Sequence, residues 1–209
     1  MNVFVLSTGR CGSATFARAC SHITNYTSAH ESRWGLVGEA RLAYPAAHIE
    51  IDNRLTWLLG RLDERYGGQA FYVHLLRDEK LTAESYHRRW LQDFSAIRGY
   101  NRDILCRKTR DIDACLDYCH TVNANIRCFL RDKPHRLTVH LDQAPQDFRE
   151  FWAAIGAEGN LDAALDTWKR KHNVTTGATG RLRPRAKLYR FRRKLFRAAH
   201  RLPEYWRNV

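Results

Sequence analysis

No stretch of the 209 residues is apolar over the roughly 18 to 20 positions that a bilayer-spanning helix requires. The first six residues carry no basic n-region and no signal-type apolar core, and they lead straight into a strand-like run. The expectation is an intracellular, cytoplasmic and soluble protein. The six cysteines (Cys11, Cys20, Cys106, Cys115, Cys119, Cys128) lack the paired Cys-x-x-Cys spacing of a zinc site. Without a secretory signal they read as free thiols rather than a disulfide framework. No spacing of His, Cys and carboxylates suggests a metal. Internal repeats are absent, and no low-complexity linker divides the first 180 residues.

What is present is enough apolar material for a core: 44% of residues are hydrophobic and 11% aromatic, which excludes a disordered or fibrous chain. The net charge of +13 is uneven. Residues 181–209 hold 11 Lys/Arg and one acid, Glu204, whereas residues 1–180 are nearly balanced, with 24 Lys/Arg against 21 acids. A domain over 1–180 followed by a basic extension over 181–209 is the expected organisation.

Short apolar, β-branched runs at 3–6, 23–27, 48–51, 70–76 and 136–141 alternate with helical periodicity at 13–21, 54–66, 81–94, 112–130, 146–155 and 161–171. Gly67-Gly68 closes the second helical segment as a C-terminal cap would. This alternation predicts an α/β fold with helices on both faces of a central parallel sheet, a three-layer α/β/α arrangement of about five strands.

The segment Ser7-Thr8-Gly9-Arg10-Cys11-Gly12-Ser13-Ala14-Thr15 sits between the first strand and the first helix. Such a turn points several backbone N–H groups at one spot, where the helix dipole adds positive character, and so suits an anion, most often phosphate. Gly9 and Gly12 let the backbone approach the ligand, Ser13 and Thr15 offer hydroxyls, and Arg10 offers a fixed charge. The G-x-x-x-x-G-K-[ST] pattern of a magnesium-nucleotide loop is missing, which argues against a kinase-like P-loop enzyme.

A second segment runs from Phe71 through Arg77 to Ser85. Arg77 ends an apolar strand, and Ser85 follows eight residues later, about two turns into the next helix. One guanidinium and one hydroxyl could converge there on a second phosphate.

With these two segments the chain resembles the sulfotransferases that use 3′-phosphoadenosine 5′-phosphosulfate (PAPS). Arg10-Cys11-Gly12-Ser13 is similar to the family's [KR]-[SCG]-G-[ST] loop, which grips the 5′-phosphosulfate. Arg77 and Ser85 match the strand-end arginine and the serine that grip the 3′-phosphate. The resemblance covers roughly residues 2–17 and 70–90. It implies the P-loop-like sulfotransferase fold, with Gly9 to Thr15, Arg77 and Ser85 binding the donor. It extends to Lys171 and Asn173, where the family often closes a basic loop over the nucleotide. It also implies metal-independent transfer of a sulfuryl group from PAPS to a hydroxyl, or less readily an amine, of a small-molecule or glycan acceptor.

Sulfuryl transfer depends on positioning and charge stabilisation, by analogy with phosphoryl transfer. Arg10 is placed to neutralise the charge that develops on the leaving oxygens. The family's base, a Glu or His, would come from the loop after the second strand, which offers His30 and Glu31, or from the end of the third, which offers Glu50 and Asp52. Glu31 is preferred, because the second-strand end of an open α/β sheet faces the ligand crevice. His30 follows, with an ordinary pKa of about 6.5 suited to proton abstraction. Asp52 and Asn53 also fit a helix cap. His74 and His140 read as hydrogen-bonded core residues.

The extension places Leu188, Phe191, Leu195, Ala199 and Leu202 at helical spacing among arginines. It fits contact with an anionic membrane, which would favour a lipid-linked or anionic glycan acceptor, or equally a packing helix over the sheet or a neighbouring subunit. The body lacks nucleic-acid patterning, so a nucleic acid partner is not expected. A non-catalytic nucleotide-binding or nucleic-acid-binding module remains the third class.

Overall fold

The computed structural model describes residues 1–90, 96–107 and 110–169. Lys171, Asn173 and the basic extension lie outside the described residues.

Five strands form one wholly parallel sheet: β1 (Val3–Leu6), β2 (Thr27–His30), β3 (His48–Ile51), β4 (Phe71–Leu76) and β5 (Arg136–His140), in the order β2-β3-β1-β4-β5. Parallel strands need crossover connections. These are supplied by α1 (Ser13–Cys20), α2 (Leu59–Tyr66), α3 (Glu79–Arg88), the short α4 (Ala96–Gly99) and the long α5 (Ile112–Leu130). After β5 come α6 (Ala144–Ala154) and α7 (Leu161–Asp166). The expected three-layer α/β architecture is observed.

β1 lies at the centre with every side chain buried, because its alternate residues feed two cores. Val3 and Val5 join Phe16, Ile49, Val73, Phe148 and Phe151 on one face. Phe4 and Leu6 join Leu62, Tyr72, Tyr86, Tyr118 and Ile126 on the other. Each such side chain contributes about 1.5–3 kcal/mol by leaving water.

Three elements differ from their sequence expectation. The strand expected over 23–27 is displaced to Thr27–His30. Ile23 packs in the core and forms only an isolated antiparallel bridge with Gly159, while the strand itself is a polar sheet edge that carries no apolar alternation. The helix expected over 54–66 is split: Asp52 accepts from Arg54 N at 2.8 Å and starts a 3₁₀ turn over Asn53–Trp57, after which α2 begins at Leu59 and ends at Gly67, φ +46°. α3 starts two residues before its expected position, since Asp78 caps it by accepting from Leu81 N at 2.8 Å.

His74 is a core residue as expected, 2% exposed, with Nε2 3.2 Å from Asn123 Oδ1. His140 is not. It lies exposed on the edge strand β5, its Nδ1 3.3 Å from Asp147 Oδ2, because among the described residues the sheet ends there and no further strand covers it. All six cysteines are free thiols. Among the described residues no helix is long and apolar enough to cross a membrane.

Candidate active site

In an open parallel sheet, ligands bind beyond the carboxyl ends of the strands, where successive connections leave in opposite directions. Here β1 connects toward β2 on one side, and β4 connects toward β5 on the other, so the crevice opens between β1 and β4. The two segments singled out in the sequence leave the ends of these two strands.

The loop after β1 is held in an unusual backbone shape, with φ of +81° at Gly9, +63° at Arg10 and +88° at Gly12. Side chains could not replace the hydrogens of the two glycines. A Cβ on Gly9 would stand 2.5 Å from the Tyr86 hydroxyl, and one on Gly12 would stand 2.6 Å from Leu141 Cδ1. Two phenols fix the loop from below, Tyr86 and Tyr118 donating to the Thr8 carbonyl at 2.5 and 2.9 Å. The Thr8 hydroxyl donates to Gly9 O at 2.9 Å, and the buried Cys11 thiol lies 3.0 Å from that hydroxyl. Burial raises the pKa of Cys11, so the thiol stays neutral and serves as packing beneath the loop.

Thr15 N and Phe16 N both donate to Gly12 O, and Gly9 N donates to Ser7 Oγ. Among the described residues the N–H groups of Arg10, Cys11, Gly12, Ser13 and Ala14 have no acceptor. No acid occupies the first turn of α1. Donors left open at a helix start suit an anion. Ser13 reaches the surface of this loop, whereas Thr15 is buried and its hydroxyl sits deeper than expected.

Arg77 follows β4, and its Nη1 donates to the Arg10 carbonyl at 3.0 Å. Arg10 in turn donates from Nε to Ser85 Oγ on α3 at 3.1 Å. Arg10, Arg77 and Ser85 therefore meet, although Ser85 is joined to Arg10 and not to Arg77. Arg10 has a lowered pKa, chiefly through burial and then through the charge of Arg89, with Arg77 adding to it. Among the described residues neither Arg10 nor Arg77 has a carboxylate within ion-pair distance. Arg10 and Arg77, with no carboxylate beside them among the described residues, suit an external anion. Arg89 was missed in the sequence, and the signal was its position four residues after Ser85, one turn further along the same helix face.

The four base candidates are placed differently. His30 ends β2, with Nε2 3.1 Å from Ser13 Oγ, in direct contact with the loop. Glu31 follows in the left-handed region, φ +54°, its carboxylate 2.7 Å from Arg54 Nη1. Arg54 also lies over the Trp34 ring, 5.5 Å from its centroid. Glu50 is wholly buried and accepts from Ser32 N (2.8 Å), Ser32 Oγ (2.6 Å) and His48 Nε2 (3.1 Å), so it anchors the backbone just after Glu31. Asp52, also buried, pairs with Arg41 at 2.5 Å, and burial raises its pKa. The partners of Glu50 and Asp52 are structural.

The fold has a counterpart among solved structures, the mouse sulfotransferase SULT7A1 complexed with PAP, which superposes with a TM-score of 0.51 at 15% identity. The fold is the sulfotransferase fold. The match covers 80% of this chain and 63% of the mouse chain, so this chain accounts for less than two thirds of that sulfotransferase. No family model matches the chain, and no curated protein sequence does.

Proposed function

We propose that the chain is an enzyme that transfers a sulfuryl group from PAPS to a hydroxyl, or less readily an amine, of a small-molecule or glycan acceptor. The observation that carries this reading is the meeting of Arg10, Arg77 and Ser85 at the crevice between β1 and β4, beside five unpaired loop N–H groups. Two anion-seeking groups from distant parts of the chain suit the two ends of one bisphosphorylated donor. The PAP held by the mouse sulfotransferase of the same fold adds to the support.

The donor, when bound, would supply a sulfuryl group already joined to a good leaving group, its own 5′-phosphate. The loop N–H groups and Arg10 would hold the phosphosulfate oxygens, with Arg77 and Ser85 at the 3′-phosphate. As the acceptor oxygen bonds to sulfur, the S–O bond to the 5′-phosphate breaks and leaves its electron pair on the phosphate. In this reading Arg10 would meet that growing charge. The acceptor proton goes to a base, for which His30 is the better placed candidate, since its Nε2 touches the loop through Ser13 while Glu31 is engaged by Arg54.

The engagement of Glu31 also favours a second reading, a donor-binding module without turnover. Thermal shift with adenosine 3′,5′-bisphosphate against magnesium-ATP tests the binding step. The bisphosphate alone is expected to stabilise the protein, and stabilisation by magnesium-ATP alone would return the chain to the kinase-like class. Labelled PAPS offered with an acceptor panel, with Arg10→Ala as control, then separates enzyme from binder: label transferred by the native protein but not by the variant is expected.

A further inference from the structure

The cleft between α5 and β5 uses none of the residues of the crevice between β1 and β4. It has a volume of about 340 Å³, within the range of small-ligand sites, and is lined by Arg127 and Arg131 at the end of α5, by Arg136 and Thr138 on β5, and by His74 of β4 at its floor. Arg127 and Arg131 are four residues apart, about 6 Å along one helix face. Arg136 and Thr138 are two residues apart, about 7 Å along one strand face. β5 is the last strand of the sheet, which leaves both residues exposed.

Among the described residues no carboxylate stands within ion-pair distance of these three guanidiniums. Arg136 donates one N–H to the Lys133 carbonyl, and the rest of its fork is free. Basic side chains at a helix C-terminus ordinarily answer the dipole, which amounts to about half a negative charge. Three guanidiniums exceed that several-fold, and Arg136 belongs to a strand rather than the helix. The surplus positive charge remains for a ligand. The lining carries no aromatic ring other than the His74 imidazole, which gives a nucleobase little to stack on. A single carboxylate matches one fork, whereas a tetrahedral dianion can accept from two forks and a hydroxyl together.

We propose that this cleft is a second anion site that takes a phosphate or sulfate group, gripped from opposite walls by Arg127 and Arg136 with Arg131 and Thr138 beside them. It is separate from the crevice at the strand ends: His74 and Arg77 are three residues apart on the same chain direction, about 10 Å along the strand.

Calorimetric titration with inorganic phosphate tests it, using the native protein, an Arg10→Ala/Arg77→Ala variant and an Arg127→Ser/Arg136→Ser variant. The Arg10/Arg77 variant is expected to keep one binding event, and the Arg127/Arg136 variant to lose that event, its affinity falling at least about tenfold for each guanidinium removed. Since both substituted arginines are exposed, the variant should retain the native melting temperature. Glucose 6-phosphate binding at least as tightly as inorganic phosphate would identify an ester as the ligand, and the reverse order a free ion; either keeps the site. Binding that is unchanged in the Arg127/Arg136 variant, or acetate that competes as well as phosphate, would overturn it.

Discussion

Arg77 reaches across from the end of β4 to donate 3.0 Å to the carbonyl of Arg10, so the proposed second anion grip is wired into the backbone of the proposed first. The two cannot be lost independently. Arg77→Ala is expected to weaken adenosine 3′,5′-bisphosphate by about ten- to a hundredfold, the worth of one charge-assisted hydrogen bond, and to loosen the loop as well. Calorimetry gives the affinity. Native-like binding by the variant would separate Arg77 from the site.

Arg10→Ala should divide stability from function. Its guanidinium is partly buried and then sits near two others, a cost that its lowered pKa reflects, so the unliganded variant is expected to melt no lower than the native protein. Sulfuryl transfer should fall by about a hundredfold or more, as for other groups that meet developing charge. Melting curves and initial rates measured side by side check both halves.

Gly9→Ala places a methyl 2.5 Å from the Tyr86 hydroxyl at a φ of +81°. A left-handed non-glycine residue alone costs about 1–3 kcal/mol, and the clash with a buried phenol adds to it. The melting temperature should drop by at least about 2–4 °C. Gly9→Ala together with Tyr86→Phe removes the clashing oxygen and should recover part of the loss.

His30→Ala and Glu31→Gln distinguish the bases. If His30 takes the acceptor proton, its removal lowers kcat by about 10²–10⁴-fold with little change in bisphosphate affinity. Glu31→Gln, which keeps a polar partner for Arg54, is expected to cost much less. The opposite order would hand the proton to Glu31.

His74 makes the fold sensitive to acid. Burial lowers its pKa from 6.5 to about 4, with a smaller contribution from Arg127, while its hydrogen bond to Asn123 opposes the shift. The unfolded chain therefore binds a proton below pH 6.5 that the folded one refuses until about pH 4. The stability is complete above pH 6.5 and is lost progressively down to pH 4, about 3 kcal/mol in all. His74→Gln should flatten the fall of melting temperature across that window; an equally steep fall would assign the acid sensitivity elsewhere.

Much of this architecture was legible in the sequence because buried parallel strands are short runs of mainly apolar residues, and β1 and β4 are of that kind, while β3 alternates its two isoleucines with the buried His48 and Glu50. β2 was not, since Thr27–His30 is a polar edge whose position is set by pairing with β3 rather than by its own pattern. The long periodic helix α5 was readable end to end, whereas the break between Asn53–Trp57 and α2 depends on a single side chain, Asp52. At the candidate site, Gly9, Arg10, Gly12, Arg77 and Ser85 stood out in the sequence, and the structure brings Arg10, Arg77 and Ser85 together. Which base lies on the loop was not readable, because His30 and Glu31 are neighbours in sequence and only the left-handed turn at Glu31 sends them to different partners. Tyr86 and Tyr118 gave no local signal: their role exists only once α3 and α5 fold beneath the loop.

Those two phenols have a consequence for how the site is occupied. With the Thr8 carbonyl pinned from two helices, the receptor acquires its shape when the chain folds and has little disorder left to lose when an anion arrives. A hydroxyl deleted from either tyrosine would then show itself twice, as slower capture of the ligand and as a softer protein before any ligand is present.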